Sequence, residues 1–232
     1  MVKYNHLFFD LDRTIWDFEK NSTETLLELL KEFGLDKRGS LTDDAFIKMY
    51  KKINHKLWQE YGKGNISKNQ LRSERFYQSL LHFSIDEKDL SVTLNDLYVQ
   101  RCSSKTNLVP HSKEILEYLS KSYILHIITN GFIEAQNLKL EKSGIRPFFS
   151  EVIIADEVGV TKPDPRIFHH AIESSSAELN ESIMIGDDFE ADVLGAKNVG
   201  MDQIYYKKEA SDIEKEQATF TIEHLAELRD IL

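Results

Sequence analysis

The stretch Asn5-His6-Leu7-Phe8-Phe9-Asp10-Leu11-Asp12-Arg13-Thr14 decides how the rest of the chain is read. Its apolar run, Leu7, Phe8 and Phe9, predicts a buried strand, because aromatic and branched side chains suit a covered, pleated surface. The run stops at two carboxylates two residues apart, Asp10 and Asp12, with Thr14 beyond them. If extended geometry persists, a period of two puts Asp10 and Asp12 on the same side. Two like charges so placed repel each other, and a divalent cation is the usual compensation. Mg2+ prefers one or two carboxylates, with phosphate oxygens completing its shell. A strand that simply ends in a polar turn is the ordinary alternative, so the downstream residues decide.

After Thr14 the pattern changes. Residues 16–104 contain no convincing strand and read as amphipathic helices. Asn21 or Ser22 is expected to cap a helix through Leu26, Leu29, Leu30 and Phe33, stopped by Gly34. A second helix is expected from Thr42 to about Tyr61, a third opening at Ser67, and a fourth over 86–101. From Asn107 onward helices and strands alternate. Strands are predicted over Tyr123–Thr129, Glu151–Ala155, Ser182–Gly186 and Gln203–Tyr206, and the C-terminal Ile222–Leu232 closes with a helix. Alternation of this kind implies a parallel sheet covered on both faces. The strand before Asp10 has nothing nearer to pair with, so it belongs to this sheet and the helical block is an insertion. The expected fold is α/β: a Rossmann-like parallel-sheet core formed by residues 1–15 and 105–232, with an inserted α-helical cap over 16–104.

Open parallel sheets carry their sites beyond the carboxyl ends of the strands. There the sequence offers Asp10 and Asp12 after the first strand, and Thr129-Asn130-Gly131 after the second. Next come Val160-Thr161-Lys162-Pro163-Asp164 after the third, and Gly186-Asp187-Asp188 with Asp192 after the fourth. Taken singly, each has a plain structural explanation: a turn, the start of a helix, or an acid facing a helix dipole. Four of them on one edge of one sheet are hard to assign to chance.

The bulk composition narrows the partners. The chain has 232 residues, 41% of them hydrophobic and 29% charged, and a formal net charge of −10. That charge argues against a nucleic-acid polymer, which requires clustered Lys and Arg. It is compatible with a small phosphorylated metabolite, because a metal and one lysine reverse the local field. Cys102 is the only cysteine, which excludes an intrachain disulfide and a cysteine metal cluster and fits a reducing cytoplasm. No signal segment and no stretch of membrane-spanning length is expected.

In their order and spacing the four stretches resemble the motifs of the haloacid dehalogenase-like hydrolases, a superfamily consisting mostly of phosphatases, and the insertion resembles its helical cap. Within it, Asp-Leu-Asp-Arg-Thr-Ile-Trp-Asp-Phe most resembles the bacterial pyrimidine 5′-nucleotidases. The family pattern usually has Gly where Arg13 stands and often Ser where Asp188 stands. The resemblance implies a Mg2+-dependent phosphatase. Asp10 would be the nucleophile and Asp12 the acid and base. Thr129, the N–H of Asn130 and Lys162 would contact the phosphoryl oxygens. Asp10, the backbone carbonyl of Asp12 and Asp187 would hold the metal. Asp188 is a second candidate ligand, and Asp192 would orient Lys162 or a metal-bound water. Asp12 also separates chemistries: by the family pattern, haloacid dehalogenases and phosphonate-cleaving relatives lack it. A phosphosugar mutase and a non-catalytic phosphate-binding module remain as alternatives.

For the leaving group, Trp16, Phe18 and the Tyr61-Gly62-Lys63-Gly64 turn are candidates, an aromatic ring being able to stack on a base. Trp58, Phe76 and Tyr77 are read as packing within the cap. His55, His82, His111, His169 and His170 are read as structural or surface residues. The sequence leaves the leaving group and the oligomeric state open.

Overall fold

The computed structural model describes residues 4–38, 41–207 and 209–232. Its chain divides into two compact units, one formed by Met1–Phe18 with Thr106–Leu232 and the other by Glu19–Lys105. The first is built on a parallel sheet of β1 (His6–Phe9), β2 (Ile124–Thr129), β3 (Phe149–Ile154), β4 (Ser182–Gly186), β5 (Asp202–Tyr206) and β6 (Phe220–Ile222). The strand order is β3-β2-β1-β4-β5-β6. β1 therefore lies in the middle, with Phe9 opposite Ile127 on one side and Ile185 on the other. A strand buried on both faces needs continuous apolar sequence, and Leu7, Phe8 and Phe9 are all fully buried.

The short strand β6 answers to no expected strand. Ile222, read from sequence as the start of a closing helix, is the last residue of a strand, and the helical turns come later, at Leu225–Glu227 and Leu228–Ile231. Three residues pairing at a sheet edge are too few for a period-two signal.

The helical unit is made of α1 (Phe18–Glu32, whose first residue lies in the other unit), α2 (Asp43–Gly62), α3 (Lys68–His82) and α4 (Lys88–Ser103). Thr42 caps α2 by accepting from Ala45 N, and Ser67 opens α3 with a reciprocal capping box to Gln70; both signals were legible. Asn21 and Ser22 do not cap. They lie inside α1 and are buried, and the Ser22 hydroxyl accepts from Tyr98 Oη at 2.7 Å. An interior serine in an inter-helix hydrogen bond carries the same residue type as a cap, so composition alone misassigns it. Tyr50, Phe76 and Tyr98 form the aromatic heart of the unit, with ring centroids 4.8–5.5 Å apart.

Returning to the sheet unit, one face of the sheet, carrying Phe8, Ile128 and Met184, packs on Ile167, Phe168 and Ala171 of one helix and on Ala196 of another. The chain between the strands supplies α5 (Ser112–Leu119), α6 (Ile133–Lys142), the turn α7 (Ala155–Val158), α8 (Pro165–Ser175), α9 (Gly195–Asn198), α10 (Asp212–Gln217) and α11 (Leu228–Ile231). His126 lies in this covered region, 0% exposed, with its ring stacked 4.6 Å from Phe8 and its Nε2 3.0 Å from His6 Nδ1. Its Nδ1 has no hydrogen-bond partner among the described residues. Burial, reinforced by His6, lowers the His126 pKa from 6.5 to about 4.

The sign of that shift fixes a pH dependence. The unfolded chain takes up a proton near pH 6.5 and the folded chain only near 4, so stability falls as pH drops through that window. Fully developed, the loss is about 3 kcal/mol. Urea melts between pH 7 and 4.5 are expected to show it, and His126→Phe to fall by less over the same interval. An identical loss in both proteins would remove His126 as the cause.

Candidate active site

Strand geometry does not persist past Phe9. β1 ends there, Asp10 adds one more ladder bond from its N–H to Ile185 O (2.9 Å), and the chain then turns. Asp12 and Trp16 form an isolated bridge, Arg13 N donates to Trp16 O at 2.8 Å, and Trp16 N to Leu11 O at 2.8 Å. The turn is anchored by Leu11, Ile15 and Trp16, none of which is exposed. Arg13 sits at φ 70°, in the left-handed region. Glycine enters this region at no steric cost and arginine only with strain. Its guanidinium lies 4.5 Å from the Phe18 ring centroid, a cation–π contact that offsets part of the strain.

Lys162 occupies the centre of the site. It is almost wholly buried, and its ammonium makes three bonds: 2.7 Å to Asp10 Oδ1, 2.6 Å to Asp192 Oδ1 and 2.7 Å to Ile128 O. These use all three of its protons. Burial alone would lower the lysine pKa, but the charges of Asp10 and Asp192 outweigh it and hold the ammonium well above the lysine range. The backbone of Lys162 is fixed as firmly. Its N–H donates to Asn130 Oδ1 (2.7 Å), and its carbonyl accepts from Asn130 Nδ2 (3.0 Å). Asn130 thus clasps the loop after β3 to the end of β2.

The carboxylates outnumber that cation. Asp10, Asp187 and Asp192 bring oxygens within 4.8 Å of one another, a grouping able to hold a metal ion. Burial, then Asp10 and Asp192, pushes Asp187 up to about 8. Burial also raises Asp192 to about 7 although Lys162 pulls it down. Asp187 accepts only one long hydrogen bond, 3.4 Å from Thr14 Oγ1, among the described residues. A half-buried carboxylate so poorly satisfied favours a positive partner, and hard oxygen donors suit Mg2+. The donor set fits the ion.

Asp188 is otherwise employed. It is exposed, and its Oδ1 accepts from Glu190 N (3.0 Å) and Ala191 N (2.9 Å), capping the helical turn Phe189–Leu194. Asp192 Oδ2 in turn accepts from Asp188 N at 3.0 Å. Between the two neighbouring acids, the geometry puts Asp187 in the cluster and Asp188 at a helix start. Gly186 makes this packing possible, because a Cβ there would lie 2.2 Å from Asp192 Oδ2.

Asp12 lies on the other side, held by two residues of α6 that the sequence reading did not select. Lys139 Nζ donates to both its oxygens, at 2.7 and 2.8 Å, and Gln136 Nε2 to Oδ2 at 2.9 Å. The same amide donates to Thr129 Oγ1 at 2.5 Å. A usable signal exists: Ile133, Gln136 and Leu140 fall at helical spacing on one face, so a polar residue stands in phase with apolar ones. Trp16 is fully buried beneath the Lys139 ammonium, 4.6 Å from its ring centroid. It is therefore not available to stack on a base in this conformation, and half-buried Phe18 is the more accessible of the two rings.

Comparisons with known proteins bear on the family and the fold. The family model described as haloacid dehalogenase-like hydrolase matches residues 7–206. The pyrimidine 5′-nucleotidase YjjG of Escherichia coli is 28% identical over 233 residues, covering 100% of this chain and 99% of that protein. The pyrimidine 5′-nucleotidase PynA of Streptococcus pneumoniae is 32% identical over 206 residues, 88% of this chain and 84% of its own. Among solved structures, the magnesium-bound HAD-hydrolase YfnB of Bacillus subtilis superposes with a TM-score of 0.88 at 27% identity, covering 99% of both chains.

The separate duties of the acids predict separate costs. Asp188→Ala is expected to lower stability by about 1 kcal/mol, as for loss of a helix cap. Gly186→Ala should cost about 1–3 kcal/mol, because the added carbon forces Asp192 aside. Chemical denaturation of the two variants checks the ranking.

Proposed function

The chain belongs to the haloacid dehalogenase-like hydrolases and is a phosphoric monoester hydrolase, and we propose that it is a Mg2+-dependent phosphatase acting on a nucleoside 5′-monophosphate through an aspartyl-phosphate. The observation that carries this reading is the Asp10 carboxylate, buried at the end of β1 and hydrogen-bonded to Lys162 at 2.7 Å. The choice of nucleotide rests on the names of two relatives, YjjG and PynA. The helical unit Glu19–Lys105 is assigned the role of a cap that supplies leaving-group contacts. A reducing, cytoplasmic setting belongs to the same proposal.

In this mechanism an oxygen of Asp10 attacks phosphorus, the phosphorus–ester oxygen bond breaks, and Asp12 gives its proton to the departing alkoxide. A water then attacks the aspartyl-phosphate and loses its proton to Asp12, which returns Asp10 as a carboxylate and releases inorganic phosphate. Thr129 and the Asn130 N–H would contact the phosphoryl oxygens as charge spreads over them, and Lys162, its three protons held by Asp10, Asp192 and Ile128 O, contributes its positive charge. Asp10 and Asp187, with the Asp12 carbonyl, would hold the magnesium ion. When bound, it supplies positive charge that lets an anionic phosphate approach an anionic nucleophile. Asp192 is kept for Lys162, since both its oxygens already accept hydrogen bonds.

Phosphate release from a panel of nucleotides, sugar phosphates and short-chain phosphates tests the proposal. Preference for UMP, dUMP or dTMP is expected, with activity abolished by EDTA and restored by Mg2+. Asp10→Asn should reduce turnover at least about 10^4-fold, in the range seen when a covalent nucleophile is removed. Indifference to the base would defeat the nucleotidase assignment. Substrate consumption without phosphate release would redirect it to transfer between sugar hydroxyls.

A further inference from the structure

Lys139 and Gln136 are unusual for a helix surface. Lys139 is only 6% exposed and Gln136 not exposed at all. A buried ammonium needs a counter-charge, and Lys139 finds it in both oxygens of Asp12, with the faces of Trp16 and Phe18 at 4.6 and 5.9 Å. Gln136 spans two parts of the site, its Nε2 reaching Asp12 Oδ2 and Thr129 Oγ1.

Two further features belong to this arrangement. The Gln136 carbonyl oxygen is buried with no hydrogen-bond partner among the described residues. Turning the amide over would let its oxygen accept from the Thr129 hydroxyl but would set that oxygen against the Asp12 carboxylate. The orientation is therefore dictated by Asp12 and leaves an acceptor unpaired. Gly131 leaves the space: a Cβ there would lie 2.2 Å from Gln136 Nε2. The turn after β2 thus has to stay bare for the amide to reach Asp12.

We propose that Lys139, with Gln136, is a positioning residue that aims the Asp12 carboxyl group at the ester oxygen and ties its placement to Thr129. The inference rests on the phosphatase reading and deepens it. Neither residue needs to touch the substrate. A carboxyl gripped on both oxygens by one ammonium, and on one by an amide, cannot swing away between the two half-reactions. Aim of this kind is where general acid catalysis gains or loses its efficiency.

The test compares Lys139→Met, Lys139→Arg and Gln136→Leu in the full chain with Mg2+, using two esters. One is p-nitrophenyl phosphate, whose leaving group departs without a proton; the other is the best nucleoside 5′-monophosphate of the panel. The quantity to read is kcat/KM, which reports the first transfer alone. Lys139→Met is expected to lose about 10^2-fold on the nucleotide, the lower end of what a positioned acid contributes. On p-nitrophenyl phosphate kcat/KM should be little changed, while a burst of nitrophenolate appears because the second step has slowed. Gln136→Leu should move the same way by less, and Lys139→Arg should recover part of the loss. In an Asp12→Asn background, Lys139→Met should change nothing further.

Equal losses on both esters, or a loss that persists beside Asp12→Asn, would overturn the positioning role and make Lys139 a substrate contact or a structural residue. Should Lys139→Met fail to fold, Gln136→Leu and Lys139→Arg carry the same comparison. A wild-type chain that hydrolyses neither ester overturns the phosphatase reading instead, which keeps the two failures apart.

Discussion

Crowding of negative charge governs this structure. Asp10, Asp187 and Asp192 approach within 4.8 Å of one another, Asp10 and Asp192 buried and Asp187 half-buried, where like charges repel more strongly than in bulk solvent. One buried ammonium, Lys162, bridges two of the three. Its position is not left to side-chain flexibility. Asn130 grips its backbone on both sides, Ile128 O takes the third proton, and β1, β2 and β4 bring the partners together at the same sheet edge. Remove that cation and the edge becomes a cluster of acids with nothing to hold it.

The second ammonium, Lys139, does a parallel task for Asp12. The two lysines come from different loops and helices and serve different carboxylates. The acid left without a cation is Asp187, and the cost of ionising it there shows in a pKa pushed up to about 8. The geometry thus separates the acids by partner: Asp10 and Asp192 with Lys162, Asp12 with Lys139, Asp188 with a helix start, and Asp187 with a weak hydroxyl contact. That division is more informative than the clustering alone, because it singles out the group that most needs an external cation.

Much of this was readable from sequence. A continuous apolar strand stopping at carboxylates, and alternating helices and strands with polar groups after each strand, suffice for a parallel sheet and a site at its edge. Local rules also placed helix starts at Thr42 and Ser67, which prove to be the capping residues. What escaped depends on contacts between distant segments. Lys139 looks like an ordinary surface helix residue, and Gln136 is marked only by falling in phase with Ile133 and Leu140, until β2 and the loop after β1 are brought together. Asp187 and Asp188 are indistinguishable as letters, and only the turn of Phe189–Leu194 assigns one of them to backbone N–H groups. Asn21 and Ser22 have the composition of caps and the position of core residues. Trp16 has the chemistry of a base-stacking ring, and burial takes that use away.

The return of the chain from the helical unit carries a consequence of its own. Asp17 N donates to Asn107 O at 3.1 Å, Val109 N to Ile15 O at 3.0 Å, and Trp16 bridges Leu108 in antiparallel fashion. The outgoing and incoming segments are zipped together before the insertion begins. Its two ends are thus already neighbours, and the entropy of closing that long excursion is met by the sheet unit's own backbone bonds. Such a seam makes the excursion exchangeable: residues between Phe18 and Thr106 can be lengthened, shortened or swapped for another module while the hydrolytic chassis keeps its register.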